Sequence, residues 1–415
     1  MLAYNIGILF YGFLIIIASK FSEKAKLWMQ GRKGIFDKMH QEMCNIKGDI
    51  LWFHCASLGE FEQGRPIIEK IKVLHPQYKI LLTFFSPSGF EVRKHYEKAD
   101  FVYYLPLDTA INARKFIEIA KPKMAFFVKY EFWFHYLTAL KKSDIPVYSV
   151  SSIFRPNQIF FKPYGKFYRN MLGLISRFFV QNTESEVLLK SIGIESKVTG
   201  DTRFDRVNAG LQTKKDLLYI KRFKKDSRLF VIGSSWKEDL DVLAESINDF
   251  YLDKSTIGNI KVVIAPHEIS TKNIQYIQNK IQRPILLYSD LQKKDLSLFD
   301  ILVIDNVGML SSIYAYADFA YVGGGFGKGL HNILEAAVYG MPIFFGSKYE
   351  KFQEAVDLVA QGGAFSISSS ETFETKFKQI ASDQFYFDQC KSVTTNYVQR
   401  NVGATDKILK HLNLL

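Results

Sequence analysis

Cysteine is scarce. The 415-residue chain has three, Cys44, Cys55 and Cys390, spaced too widely for a disulfide framework or a zinc pattern. Such usage fits a reducing compartment. No G-x-G-x-x-G follows the strand-like runs, because Lys328 stands where Gly323 and Gly325 would need a third glycine. Gly327-Lys328 also lacks the leading glycine and trailing Ser/Thr of a P-loop, so neither a dinucleotide enzyme nor a P-loop ATPase is signalled. Basic residues form no long block. The small clusters Lys214-Lys215 and Arg222-Phe223-Lys224-Lys225 make no nucleic-acid motif. The net charge of +12 therefore points to another anionic partner, an acidic lipid or a phosphorylated substrate. Hydrophobic content of 47% and charged content of 23% are globular values, and the length favours two domains.

Residues 2–18 are almost wholly apolar, and as a helix would rise roughly 25 Å, marginal for a bilayer. No Lys or Arg precedes them, unlike a signal peptide, whereas Lys20, Lys24, Lys26, Arg32 and Lys33 follow. The expectation is a membrane anchor over 1–20, or a helix dipping into the inner leaflet, with the rest of the chain cytoplasmic. A buried N-terminal helix is the alternative.

From residue 49 strands and helices alternate. Strand patterns occupy 50–54, 79–85, 101–105, 124–128, 147–150 and 177–181, with helical periodicity over 61–74, 110–120 and 131–140. Strands joined by helices imply a parallel α/β sheet. The stretch 153–171 carries six aromatics and reads as a loop and helix, packed in the core or against an apolar partner. After a lysine-rich polar segment over 209–225 the pattern restarts, with strands at 229–232, 261–265, 284–288, 301–304 and 318–322 and a last helix over 395–412. The chain thus divides into an N-terminal domain over 21–205, a C-terminal domain over 206–395 and a terminal helical segment over 396–415. Asp239-Leu240-Asp241 spells D-x-D, but inside a helical pattern that reads as a solvated face.

The residues from Tyr321 to Gly346 read as strand, glycine-rich loop, helix and strand. Glycines let backbone amides approach a ligand, and a helix over 331–339 would offer unpaired amides to an anion. Glu335 in its first turn suits the two hydroxyls of a ribose, or simply complements the helix dipole. Loops at Gly233, Pro266, Val307 and Gly323 all leave strand carboxyl ends, where doubly wound sheets bind ligands.

Six segments then resemble, in order, the motifs of the Kdo (3-deoxy-D-manno-octulosonic acid) transferases. His54-Cys55-Ala56-Ser57-Leu58-Gly59-Glu60 is similar to H-x-x-S-x-G-E, Ser86-Pro87-Ser88-Gly89 to T-P-T-G, and Tyr104-Leu105-Pro106-Leu107-Asp108 to Y-L-P-x-D. Tyr130-Glu131-Phe132-Trp133 resembles T-E-L-W, residues 200–205 G-x-x-K-F-D, and residues 329–335 G-G-H-N-P-L-E. The resemblance implies a GT-B fold: two doubly wound Rossmann-like domains facing across a cleft, here with an N-terminal membrane-anchor helix. It implies a glycosyltransferase of lipopolysaccharide biosynthesis that moves Kdo from CMP-Kdo to the lipid A precursor at the cytoplasmic face of the inner membrane, with inversion and without a metal. Glu60 falls on the family's general base. Glu131 and Arg203 fall on transition-state positions, Arg203 standing where Lys is usual. The donor site falls on Pro266, His267, Val307, Gly308, Met309, Asn332, Ile333, Leu334 and Glu335. Here P-R-H has lost its Arg and M-G-E its carboxylate, so backbone contacts at Val307 and Gly308 would survive but side-chain contacts would not. Another GT-B enzyme using a UDP- or GDP-sugar, an epimerase, and an inactive lipid- or glycan-binding protein are the alternatives.

Overall fold

The computed structural model describes every residue except 213–215, 251–256, 293 and 328. Lys214, Lys215 and Lys328 thus lie outside the described residues. The chain divides into two compact units, Met1–Arg206 with Asn401–Leu415, and Val207–Arg400.

The first unit is built on seven strands: β1 (Ile50–Cys55), β2 (Lys79–Phe84), β3 (Phe101–Tyr104), β4 (Met124–Val128), β5 (Val147–Ser152), β6 (Arg177–Val180) and β7 (Ser196–Val198). Their order is β3-β2-β1-β4-β5-β6-β7, all pairs parallel. All six residues of β1 are buried, as expected of a strand covered on both faces. Trp52 packs into one core with Phe116, Phe127 and Tyr136; Leu51, Phe53 and Cys55 point the other way, into a core with Phe61, Ile68 and Phe126. Each fully buried ring contributes about 1.5–3 kcal/mol. The C-terminal helix Ala404–His411 belongs here: Ile408 and Leu409 enter the second core, and Asp205 accepts from the backbone N–H groups of Gly403 (2.5 Å) and Thr405 (2.6 Å).

The second unit repeats the plan with β8 (Arg228–Ser235), β9 (Ile260–Pro266), β10 (Ile285–Leu287), β11 (Ile301–Val303), β12 (Phe319–Val322), β13 (Ile343–Gly346) and β14 (Ala364–Ile367), ordered β10-β11-β9-β8-β12-β13-β14. In each sheet the chain builds first one side and then the other of a central pair, β1/β4 in the first and β8/β12 in the second, where β11 returns to pair between β9 and the edge strand β10. Loops leaving those pairs border the topological switch point, where such sheets take ligands.

Several expectations need correction. The apolar N-terminus forms α1 (Leu2–Ala18), but among the described residues no helix is long and apolar enough to cross a membrane, so the spanning anchor is not found. Its 17 residues rise about 25 Å against a hydrocarbon core of about 30 Å. Nor is α1 buried: Leu2, Ile6, Leu9, Phe10 and Phe13 are all more than half exposed. It is held along one side, where the Tyr4 hydroxyl donates to Asp108 (2.5 Å) and Asn5 meets His135 (2.7 Å). Arg32, counted above among the flanking cations, is covered instead. It lies between α2 (Glu23–Gln30) and α3 (Ile35–Met43), stacks on Trp28, Tyr104 and Phe85, and donates to the carbonyls of Phe85, Leu105 and Trp28. Burial lowers its pKa to about 9.

The helix expected over 131–140 begins only at Phe134, which leaves Glu131 in a loop. The helix expected over 331–339 shrinks to the single turn Leu334–Ala337. His331 is held outside it by a bond from its N–H to Gly323 O, and Gly340 turns left-handed at the far end. The terminal helix breaks at Gly403 (φ 106°) into Gln384–Asn401 and Ala404–His411. Of the six aromatics over 153–171, Tyr164 alone is largely exposed; Phe154 and Phe160 are core.

Candidate active site

In the first unit, β1 ends at Cys55 and α4 (Leu58–Leu74) begins three residues on. Glu60 lies in the first turn of α4, where its Oε2 accepts from the Ser57 N–H (3.0 Å) and the Ser57 hydroxyl. This is a capping box, which fixes the carboxylate at the carboxyl end of β1. Both bonds fall on Oε2; Oε1 makes none among the described residues.

Glu131 arrives from the loop after β4. Its Oε2 accepts from Trp133 Nε1 (3.0 Å) and lies 3.5 Å from His54 Nε2. The Cys55 thiol is pushed well up by burial and then by the charges of Glu60, Glu131 and Glu62. The switch point of the first sheet therefore gathers carboxylates. Aromatic rings hold them in place: Trp133 packs on Phe85 at 4.6 Å, and Phe85 lies under Arg32.

Arg203, in the helix Thr202–Gly210, is tied to α4 indirectly. It donates from Nε to Asp201 (2.8 Å), and Asp201 also accepts from Gln63 of α4 (3.0 Å). Burial raises the Asp201 carboxyl, but the Arg203 charge and the bonds from Gln63 and Arg203 outweigh it and hold the group below the usual carboxylate range. Asp205 is occupied by the C-terminal helix instead.

In the second unit the loop after β12 begins with Gly323, whose absent Cβ would lie 2.2 Å from Ser234 O, and continues with Gly324 at φ 93°. Other side chains could not take this path. Asp239 organises it: Oδ2 accepts from the backbone N–H groups of Trp236 (2.8 Å) and Gly324 (2.9 Å), and Oδ1 from the Tyr321 hydroxyl (2.8 Å). Asp239 is fully buried, so the solvated face expected for D-x-D is wrong for its first member; burial pushes that carboxyl up despite its three donors. Asp241 faces outward to Tyr276 and Lys280 (2.5 Å each).

The expected donor residues spread round this loop. Pro266 closes β9, and the His267 N–H donates to Ser235 O (3.0 Å). The His267 ring lies 4.4 Å from both Trp236 and His331, and Trp236 Nε1 donates to His331 Nε2 (3.1 Å). Burial and the neighbouring His267 lower the His331 pKa to about 4, which keeps it a neutral acceptor. Val307 is 86% exposed, Gly308 is left-handed, and Met309 is buried. Ile333 and Leu334 bury their side chains, leaving only backbone for a ligand. Asn332 Nδ2 donates to Glu335 Oε1 (3.3 Å), and the Glu335 charge reaches Tyr314, beside Gly233 at the end of β8. A cavity of about 320 Å³ lies beside them, lined by Ser235, Trp236, Pro266 and Tyr276; of the expected donor residues only Pro266 lines it. Among the described residues no group of three His, Cys, Asp or Glu side chains is placed to hold a metal.

The family model described as 3-deoxy-D-manno-octulosonic-acid transferase (kdotransferase) matches residues 27–206. A relative from Aquifex aeolicus, named 3-deoxy-D-manno-octulosonic acid transferase, is 25% identical over 350 residues, covering 82% of this chain and 88% of its own. One of the same name from Chlamydia trachomatis serovar D is 27% identical over 312 residues, covering 72% and 70%. Residues 27–206 thus resemble the Kdo transferase family, and the relatives extend that likeness over most of the chain. Among solved structures, UDP-GlcNAc 2-epimerase from Neisseria meningitidis superposes with a TM-score of 0.62 at 17% identity, covering 88% of this chain and 99% of its own. At that identity the likeness shows the fold alone. The Kdo transferase family is one of glycosyltransferases, and the matched segment contains Glu60, Glu131 and Arg203.

Reading the sequence as a Kdo transferase overlooked four side chains: His54, Trp133, Trp236 and His331. Each stands in or beside a quoted motif or a strand end, but most of what they touch is distant in the sequence. Ser235 Oγ, buried at the end of β8 without a partner among the described residues, carried no signal at all.

Proposed function

We propose that this protein transfers Kdo from CMP-Kdo to a hydroxyl of the lipid A precursor, inverting the anomeric centre, in lipopolysaccharide biosynthesis. The observation that carries the reading is the pair Glu60 and Glu131, held at the switch point of the first sheet in a chain that resembles the Kdo transferases. Glu60 is the general base. Its capped Oε2 fixes the carboxylate, and its open Oε1 takes the proton of the attacking hydroxyl. Glu131 stabilises the positive charge that develops on the sugar ring as the bond to phosphate breaks. Arg203 holds the sugar carboxylate or the departing phosphate, although its ion pair with Asp201 limits its reach. In the second unit Glu335 accepts from the ribose hydroxyls, and the backbone at Val307, Gly308, Asn332, Ile333 and Leu334, with Pro266 and His267, frames the CMP. No metal is assigned, since backbone amides and cations take up the leaving-group charge.

The test is turnover of CMP-Kdo with a lipid A precursor, followed by CMP release and by the mass of the lipid. One or more Kdo units gained per lipid is the expected result. A folded protein that releases no CMP, or that turns over a UDP- or GDP-sugar in its place, contradicts the reading.

We also place the protein on the cytoplasmic face of the inner membrane, with α1 lying in the interface rather than crossing it. Support comes from the exposed apolar side chains of α1 and the lysines that follow it. Removing residues 1–20 should shift the protein from the membrane to the soluble fraction; a truncated protein still fully bound to membranes overturns this placement.

A further inference from the structure

Asp201 is a buried carboxylate just before the helix Thr202–Gly210. Three donors converge on it. Oδ1 accepts from the Arg203 backbone N–H (2.9 Å) and from Gln63 Nε2 (3.0 Å), and Oδ2 accepts from Arg203 Nε (2.8 Å). The bond from the Arg203 N–H is that of a helix N-cap. The bond from Arg203 Nε is of another kind: it joins two charges and grips the guanidinium along one edge. Capping a helix does not require it.

The carboxylate is itself fixed. Gln63 is fully buried in α4, three residues beyond Glu60. The Gln63 carbonyl accepts from the Thr202 hydroxyl (2.6 Å), which lies 2.8 Å from Ser151 Oγ of β5. A further bond runs from Arg206 Nε to Glu62 of α4 (3.0 Å). The helix that carries Glu60 and the helix that carries Arg203 are thus tied by polar bonds, and Asp201 passes that tie to the guanidinium. Stability gives little reason for an acid here. Burying an ion pair costs the hydration of both charges, and asparagine caps a helix as well as aspartate does.

We propose that Asp201 is a positioning residue for Arg203: fixed to α4 by Gln63, it holds the guanidinium by Nε on the same frame that carries Glu60. This rests on the transferase reading above, in which Arg203 meets the sugar carboxylate or the departing phosphate. An aspartate kept only as a cap would affect stability and leave the chemistry alone; a positioning residue affects kcat through Arg203.

The experiment combines two readouts on Asp201→Asn. With its oxygen at the Oδ1 position, asparagine keeps the bonds from the Arg203 N–H and Gln63 and loses only the charged bond to Nε. In ¹⁵N spectra of the full-length protein the Arg203 Nε–H, assigned with Arg203→Lys, should exchange slowly with water in wild type and fast in Asp201→Asn. A wild-type signal that exchanges like that of a fully exposed arginine overturns the proposal whether or not the transferase reading holds. In turnover of CMP-Kdo with a lipid A precursor, Asp201→Asn should lower kcat about 10–100-fold, the scale of a misplacement of about 1 Å, with KM for the lipid and the melting temperature near wild type. In an Arg203→Ala background it should not lower the residual kcat further, because the two act as one unit, and it should raise the melting temperature, because Arg203→Ala takes the cation from a buried carboxylate. Wild-type kcat in folded Asp201→Asn, or full multiplication of the two losses, overturns the proposal and leaves Asp201 as a cap. If Asp201→Asn does not fold, Gln63→Leu takes its place. It releases the carboxylate from α4 and should lower kcat with Arg203 present and not with Arg203→Ala; an unchanged kcat overturns the proposal. Wild-type protein that never turns over CMP-Kdo refutes the transferase reading instead, and leaves the exchange spectra to decide the geometry.

Discussion

At the switch point of the first sheet the polar groups are side chains: Glu60 in its capping box, and Glu131 between Trp133 and His54. At the switch point of the second the chain itself is brought forward. Glycines clear the way, Asp239 pins the loop from behind, and the bulky side chains Ile333 and Leu334 turn into the core. One fold plan, used twice, presents carboxylates in one unit and a shaped backbone in the other. The difference teaches how the work divides. Substitutions in the first unit should cost chemistry at constant binding, and those in the second should cost binding, with or without stability.

The largest effect that tests this division is expected from Asp239→Ala. It strands two buried N–H groups and a tyrosine hydroxyl, at roughly 3–5 kcal/mol in all, so urea unfolding should show a large loss of stability and calorimetry a loss of CMP binding with it. A variant that kept both and lost turnover would break the comparison.

A smaller, cleaner effect belongs to Glu335→Ala. Loss of charge-assisted bonds to a ribose should weaken CMP binding by about 1.5–3 kcal/mol, with little change in melting temperature. Unchanged affinity in calorimetry would leave Glu335 as a partner of the helix dipole alone.

The smallest is a pH effect. His331 stays neutral in the fold down to about pH 4, whereas in the unfolded chain it takes a proton near 6.5. Between those values the unfolded state binds more protons, so stability falls as pH falls through that window. His331→Gln should flatten this part of the pH–stability curve, while His54→Gln, in the other unit, should leave the contribution of His331 in place. A curve from His331→Gln that superposes on wild type would mean the imidazole is not held neutral by Trp236 and His267.

Much of the framework was legible because buried parallel strands announce themselves as apolar runs, and twelve of the fourteen among the described residues could be read this way. The edge strands β7 (SKV) and β14 (AFSI) were not, because their pairing with β6 and β13 defines them more than their own composition does. The turn that carries Glu60 is held by a local pair, since Ser57 and Glu60 stand at capping-box spacing. Asp239 was misread because its periodicity is that of an amphipathic helix, and the amide that buries it, Gly324, is 85 residues away. Arg32 looked like a membrane-flanking charge; carbonyls 53 and 73 residues on make it a structural cation. The contacts of His54 were hidden for the same reason, since Thr83 reaches it from a neighbouring strand and Trp133 from the loop after β4. Local pattern reports the sheet, and long-range pairing decides what its polar residues do.

The most direct test of the central claim is Glu60→Gln, with CMP affinity, melting temperature and turnover measured on one preparation. The amide keeps an oxygen for the Ser57 N–H and removes the basic carboxylate. Normal melting, normal CMP binding and turnover lower by about 10²–10⁴-fold are the predicted result. Wild-type turnover in the same folded, CMP-binding variant would contradict the account and remove Glu60 from the chemistry.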